Sequence, residues 1–219
     1  MTNYIYRSVE SDEFSEKADI FGLDYYKRDS GGEDQFSREQ TWFYVYGDED
    51  LKIKFERQLS NMLNDLFKQD DTEWDLITLY PTSTKNDVNP HILDVVWESS
   101  KNVDMQYKQV IRRTENIKSN HELENFRRKL VNLKGSAEVK GVEGKNVIVV
   151  DNITLSGSSC LHATDILKEK GANKVACICL GMGIRGKVVD EETEGRTASE
   201  AIRERTSNAK ASSIAIQEN

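Results

Sequence analysis

Val147-Ile148-Val149-Val150-Asp151-Asn152-Ile153-Thr154-Leu155-Ser156-Gly157-Ser158-Ser159 is the stretch on which the fold turns. Its first four residues are apolar and β-branched and read as a strand. Asp151 to Ser159 reads as a loop of small polar residues, and Cys160 to Lys170 as a helix ending at Gly171, a favoured helix stop. Lys174 to Leu180 is a second apolar strand. Strand, loop, helix and strand in that order form the βαβ unit of a parallel sheet. Trp74 to Tyr80, with the helix after it, reads as another such unit. The expected fold class is α/β, a parallel central sheet with flanking helices.

Working outward, the strand at 74–80 ends at Pro81, and Thr82-Ser83-Thr84-Lys85-Asn86 follows as a polar loop. Asn89 then Pro90 is a helix start, cap and first-turn proline in order, with Leu93, Val96 and Trp97 as its expected buried face. Upstream, Leu51, Phe55, Leu59, Met62, Leu63, Leu66 and Phe67 recur at spacings of three and four and predict a long helix. Thr41-Trp42-Phe43-Tyr44-Val45-Tyr46, aromatic and β-branched and followed by Gly47, predicts a strand. A further strand is expected around Val110-Ile111, and a short amphipathic helix on Leu123, Phe126, Leu130 and Val131. Ser30-Gly31-Gly32 reads as a turn. The division expected is an acidic arm with a hood strand over 1–47, a core over 48–185, and a polar tail with a helix near 197–205 over 186–219.

Composition narrows the function classes. The chain has 219 residues, 37% of them hydrophobic and 31% charged, which fits one domain with a modest core. Eight Tyr, seven Phe and three Trp set it apart from charged disordered polymers. No apolar run approaches a membrane span, the first residues lack the pattern of a signal peptide, and three Cys without a framework point to a reducing, cytoplasmic setting. A net charge of −8 disfavours a general nucleic-acid binder. The charge is uneven, however. Residues 1–36 carry four basic and nine acidic side chains, whereas residues 105–140 carry nine basic and four acidic ones. That central segment suits either an anionic ligand or a solvated helix face, and leaves nucleic-acid contact open through 105–140.

The loop at 151–159 carries the chemistry. Open parallel sheets bind ligands at the carboxyl ends of their strands, and a helix start offers free N–H groups and a favourable dipole to phosphate. Gly157 permits close backbone approach, and Ser156, Ser158 and Ser159 add hydroxyls. Asp151 and Asn152 suit sugar hydroxyls or a hydrated metal ion. Competing nucleotide loops are incomplete: Gly181-Met182-Gly183-Ile184-Arg185-Gly186-Lys187 is followed by Val188 where a P-loop needs Ser or Thr, and, read as GxGxxG after a strand, it opens no evident helix.

The stretch 147–159 resembles the ribose-phosphate signature of the type I phosphoribosyltransferases, and Asp75 to Lys85 resembles the strand and pyrophosphate loop of the same family. Arg112-Arg113-Thr114, and Arg127-Arg128-Lys129 through Gly135, are similar to the mobile basic segment of the competence-protein-F-like branch. The resemblance covers roughly residues 74–185. It implies that Asp151 and Asn152 hold the ribose hydroxyls of phosphoribosyl pyrophosphate, with Asp151 reaching magnesium through water. It places the 5′-phosphate on Thr154, Leu155, Ser156, Gly157, Ser158 and Ser159, and the pyrophosphate against Thr82, Ser83, Thr84 and Lys85. Arg112 or Arg113 closes over it. The function implied is transfer of the phosphoribosyl group to a nitrogenous base with release of pyrophosphate, in a family whose members often pair as homodimers.

Two departures qualify this. Asn152 stands where the signature has a second acid, and Leu155 stands where purine-salvage members carry an acidic residue near the base. The alternative they motivate is a catalytically attenuated module that binds the ligand in a regulatory role, within a nucleic-acid uptake or defence assembly. Other candidates read as structural. Cys177 and Cys179 share a strand face and are expected in the core, and His91, His121 and His162 have no metal-ligand spacing.

Overall fold

The computed structural model describes residues 4–27, 34–69 and 72–183. In chain order the elements are β1 Ile5–Val9, β2 Ala18–Tyr26, α1 Gln35–Tyr46, α2 Glu49–Gln69, β3 Leu76–Leu79, α3 Pro90–Asn102, β4 Gln106–Tyr107 and β5 Ile111–Arg113. A 3-10 turn at Asn120–Glu122 then precedes α4 Phe126–Leu133, β6 Ala137–Val139, β7 Asn146–Thr154, α5 Ser158–Glu169 and β8 Lys174–Gly183. The turn expected at 30–32 and the tail from 186 lie outside the described residues.

The main sheet has the order β1-β2-β8-β7-β3-β4. Every neighbouring pair is parallel except β1 with β2, which closes one edge antiparallel. Because side chains alternate along a strand, β7 feeds two cores. Ile148 and Val150 pack with α1, α2 and α3 on one face, and Val147 and Val149 pack with α4 and α5 on the other. A strand covered on both faces has no polar alternation, which is why 147–150 reads as an unbroken apolar run. The mixed α/β class with a largely parallel sheet and flanking helices is the architecture found. β5 and β6 form a separate antiparallel pair, Ile111 opposite Val139.

Three local expectations are corrected. Residues 41–46 are the second half of helix α1, not a strand. Asp34 caps the helix by accepting from the Ser37 amide, and Gly47 ends it in the left-handed conformation at φ 68°. Phe36, Ser37, Gln40 and Phe43 are its buried residues, a three-and-four spacing that strand propensity overrode in the sequence reading. The second correction concerns β7, which runs on through Thr154. Asp151 pairs with Cys179, and Thr154 with Met182. The loop between strand and helix is therefore only 155–157, and the sugar-site residues sit on a rigid strand end. Third, α3 turns Ile92, Val95 and Val96 inward, while Trp97 is 47% exposed. The Asn89 cap is as expected, its side chain accepting from the amides of His91 and Ile92.

Candidate functional site

The carboxyl ends of β3 and β7 open into a cavity of about 420 Å³. Its floor is Tyr80 and Asp151 to Thr154, one wall is Leu155 to Ser159 without Gly157, and another is Pro81 to Ser83 with Arg113. Lys118, Ser119, Asn120 and Lys129 border it on the basic side, and Tyr26, Thr41 and Tyr44 on the side of α1.

The start of α5 is shaped for close approach. Gly157 opens the helix at φ 79° and no side chain caps it. Its amide is held by Thr154 Oγ1 at 3.0 Å, which pins the turn to the end of β7. Ser156 Oγ donates to Ser158 Oγ at 3.1 Å, and Asn120 Nδ2 reaches the same oxygen at 3.3 Å. From behind, Arg7 on β1 donates to the carbonyls of Leu155 and Gly183, at 3.2 and 2.7 Å.

Asp151 is the only carboxylate among the described cavity-lining residues. Enclosure by the protein pushes its carboxyl up to about 6; the Asn152 amide, which donates to Oδ1 at 2.8 Å, and the Arg113 charge pull the other way without offsetting this. Arg113 itself is 1% exposed. Its Nε donates to the Thr82 carbonyl at 3.1 Å and Nη1 to Ser136 Oγ at 2.6 Å, and its guanidinium lies 5.3 Å from the centre of the Tyr80 ring. Among the described residues no carboxylate forms an ion pair with it. Its charge acts on Asp151 without a direct ion pair; a buried cation so weakly countered is costly, and an anion in the cavity would add a contact partner.

The structure gathers some of the expected residues and separates others. Asp151, Asn152, Thr154, Leu155, Ser156, Ser158, Ser159, Thr82, Ser83 and Arg113 line one cavity, whereas Thr84, Lys85 and Arg112 are exposed and outside it. Thr82 Oγ1 is engaged within its own loop, donating to Asp87 and accepting from the Thr84 amide. Arg113 is a fixed wall, not a closing arm. Arg127, in the basic stretch, donates to Glu13 at 2.8 Å. His162 is buried behind the floor with Nδ1 2.8 Å from Tyr80 Oη; burial, then the Arg113 charge, lowers it to about 3 and keeps it neutral. Cys177 and Cys179 are packed in the core as expected, and Cys160 joins them there, its Sγ 3.5 Å from that of Cys179. No group of three His, Cys, Asp or Glu side chains able to hold a metal occurs among the described residues, and no helix among them is long and apolar enough to cross a membrane.

Sequence reasoning missed Tyr26, Thr41, Tyr44, Ser119 and Asn120 at the rim and Gln40 behind the floor, whereas Lys118 and Lys129 belong to the basic stretch read as suited to an anionic ligand. Gln40 is fully buried, and its Nε2 donates to the Asn152 carbonyl at 2.8 Å and to Asn152 Oδ1 at 3.2 Å. A lone glutamine before an aromatic run carried no local signal of that contact.

Fold and site together define an α/β protein whose ligand cavity lies at the carboxyl ends of a parallel sheet, beside a glycine-opened helix start. No family model matches the chain, and no curated protein does. Similar solved structures include the glutamine phosphoribosylpyrophosphate amidotransferase from B. subtilis, at 16% identity over 64% of this chain with a TM-score of 0.41. The match spans only 30% of the amidotransferase chain. The purine phosphoribosyltransferase from Pyrococcus horikoshii is 15% identical over 77% of this chain and 82% of its own, with a TM-score of 0.38. A hypoxanthine phosphoribosyltransferase from Staphylococcus aureus is 10% identical over 61% and 74%, with a TM-score of 0.36. At such identities and scores, what the site does has to come from the chain's own residues.

Proposed function

We propose that the chain binds phosphoribosyl pyrophosphate and transfers its phosphoribosyl group to a nitrogenous base, releasing pyrophosphate. The observation that carries this is a single cavity lined by an uncapped helix start, an Asp–Asn pair and a buried guanidinium without a carboxylate partner. The hydroxyls of Ser156, Ser158 and Ser159 and the helix-start amides beyond Gly157, whose own amide Thr154 holds, take the 5′-phosphate. Asp151 and Asn152 read the ribose hydroxyls, and Arg113, behind the Thr82–Ser83 loop, balances the charge of pyrophosphate. As the base nitrogen forms its bond to the anomeric carbon, the carbon–oxygen bond breaks and its electron pair leaves with pyrophosphate. Fixed donors and positive charge facing that leaving group stabilise the transition state. Tyr26, Thr41 and Tyr44 cover the sugar from the α1 side and limit competing hydrolysis by water. With one carboxylate among the described residues of the cavity, the donor set fits magnesium as a hydrated ion, which Asp151 would hold through water and which would neutralise charge on the pyrophosphate.

Asn152 in place of a second acid, with Lys85 and Arg112 outside the cavity, favours a second reading: a module that binds phosphoribosyl pyrophosphate without turning it over. Incubation with phosphoribosyl pyrophosphate, magnesium and a panel of purine, pyrimidine and pyridine bases, with pyrophosphate release as the readout, separates the two. Release that depends on one base and is lost in Asp151→Ala supports the transferase; binding with no release for any base supports the module.

A further inference from the structure

We propose that Gln40 is a positioning residue that locks the Asn152 amide with its N–H pair toward the cavity, so that the sugar site reads one hydroxyl oxygen through Asn152 and one hydroxyl proton through Asp151. The inference rests on the sugar-phosphate reading of the cavity given above and specifies its polarity.

Hydrogen-bond logic fixes both amides in turn. A backbone carbonyl only accepts, so the Gln40 atom 2.8 Å from the Asn152 carbonyl has to be the nitrogen. The same nitrogen lies 3.2 Å from the Asn152 side chain, which therefore presents its oxygen there. Nδ2 is the other branch of that planar group and has no protein partner among the described residues, while Asn152 lines the cavity. Gln40 has no freedom to reverse. It is fully buried on α1, and its Oε1, without a partner of its own, lies where a Cβ on Gly181 would come within 2.2 Å. On the neighbouring residue the Asn152 amide holds Asp151 Oδ1. The strand end thus offers an acceptor at 151 and a fixed donor at 152. A vicinal diol matches this when one hydroxyl gives its proton to Asp151 and the other takes a hydrogen bond from Asn152. Two carboxylates would demand protons from both hydroxyls or a cation between them; the locked amide demands neither.

The test uses the full chain and ribose 5-phosphate, with affinity read by calorimetry. Gln40→Met keeps length and burial but cannot donate, and the Asn152 carbonyl, left without its donor, then draws the side-chain N–H pair away from the cavity, so affinity should fall by more than the roughly twofold loss that equal populations of the two orientations would give. In an Asn152→Asp background the side chain has two equivalent oxygens and no orientation to lose, so adding Gln40→Met should change affinity less than about twofold. An equal loss in both backgrounds, or no loss in either, overturns the proposal, because a packing role for Gln40 would act in both alike. A second measurement needs no ligand. The Asn152 side-chain amide protons, assigned by their absence in Asn152→Asp, should exchange with solvent rapidly in the wild-type protein; protection of one of them overturns the orientation directly. Failure of ribose 5-phosphate to bind the wild-type protein, with the amide exchanging rapidly, overturns the sugar-phosphate reading instead.

Discussion

Asp151 carries the sharpest dependence on conditions. Its carboxyl, raised from 3.8 to about 6 by enclosure, holds a proton longer in the folded chain than in the unfolded one. The stability linked to that proton is complete below the unfolded value and is lost as pH rises through about 6. Asp151→Asn removes the cost of holding a charge there. Its melting temperature at pH 7.5 should exceed the wild type's by about 2–6 °C, from roughly 1–2 kcal/mol after allowing for cavity water, and the two should converge below about pH 3. Binding runs the other way. A ribose hydroxyl needs the carboxylate form as acceptor, so affinity for phosphoribosyl pyrophosphate should rise between pH 5 and 7 and level off above, as calorimetry across that range would read. A variant that is more stable yet binds worse is the signature of a group placed for function.

At the level of elements, the start of α5 depends on an absent side chain. A Cβ on Gly157 would meet Val9 Cγ2 at 2.6 Å, and the φ of 79° strains any L-residue. Gly157→Ala should cost about 1–3 kcal/mol in urea unfolding and weaken phosphate-bearing ligands more than their dephosphorylated forms. Adding Val9→Ala should recover only part of the stability, since it relieves the clash and leaves the backbone strain. How much of this was legible follows from how local each signal is. The apolar run at 147–150 announces the strand and the small residues after it announce a helix start, although the strand's continuation through Thr154 carried no apolar run. Helix α1 was misread because Trp42, Val45 and Tyr46 have strand propensity, yet they are the exposed side of a helix whose inward side is Phe36, Gln40 and Phe43. Only packing on the sheet decides between those two periods. The rim of the cavity was hidden for the same reason. Gln40 meets Asn152 across 112 positions, and nothing within a short window marks either residue for the other.

For the molecule as a whole, the cavity joins parts that lie far apart in the chain, from Tyr26 on β2 to Ser159 on α5. A ligand that bridges them should stabilise the fold as one unit. Phosphoribosyl pyrophosphate at about 100 times its dissociation constant should add roughly 2.7 kcal/mol. For a chain of this size that is about 5–10 °C in a thermal melt. The rise should need magnesium and should vanish in Asp151→Ala; an unchanged melt at millimolar ligand would count against the proposed function at its root.

The placement of β2 has a consequence for how the protein is made. β2 is an early strand, yet its inner neighbour is β8, with Ile20 against Cys177 and Tyr26 against Gly183. Arg7 closes the same seam on a carbonyl 176 residues away. At synthesis rates of 5–20 residues per second, that partner emerges roughly 10–35 s later. Through that interval the nascent β1–β2 hairpin has no inner neighbour for Ile20 and Phe21, so the last described strand of the sheet acts as the keystone, and a chain interrupted before it would leave an open β-edge for other chains to find.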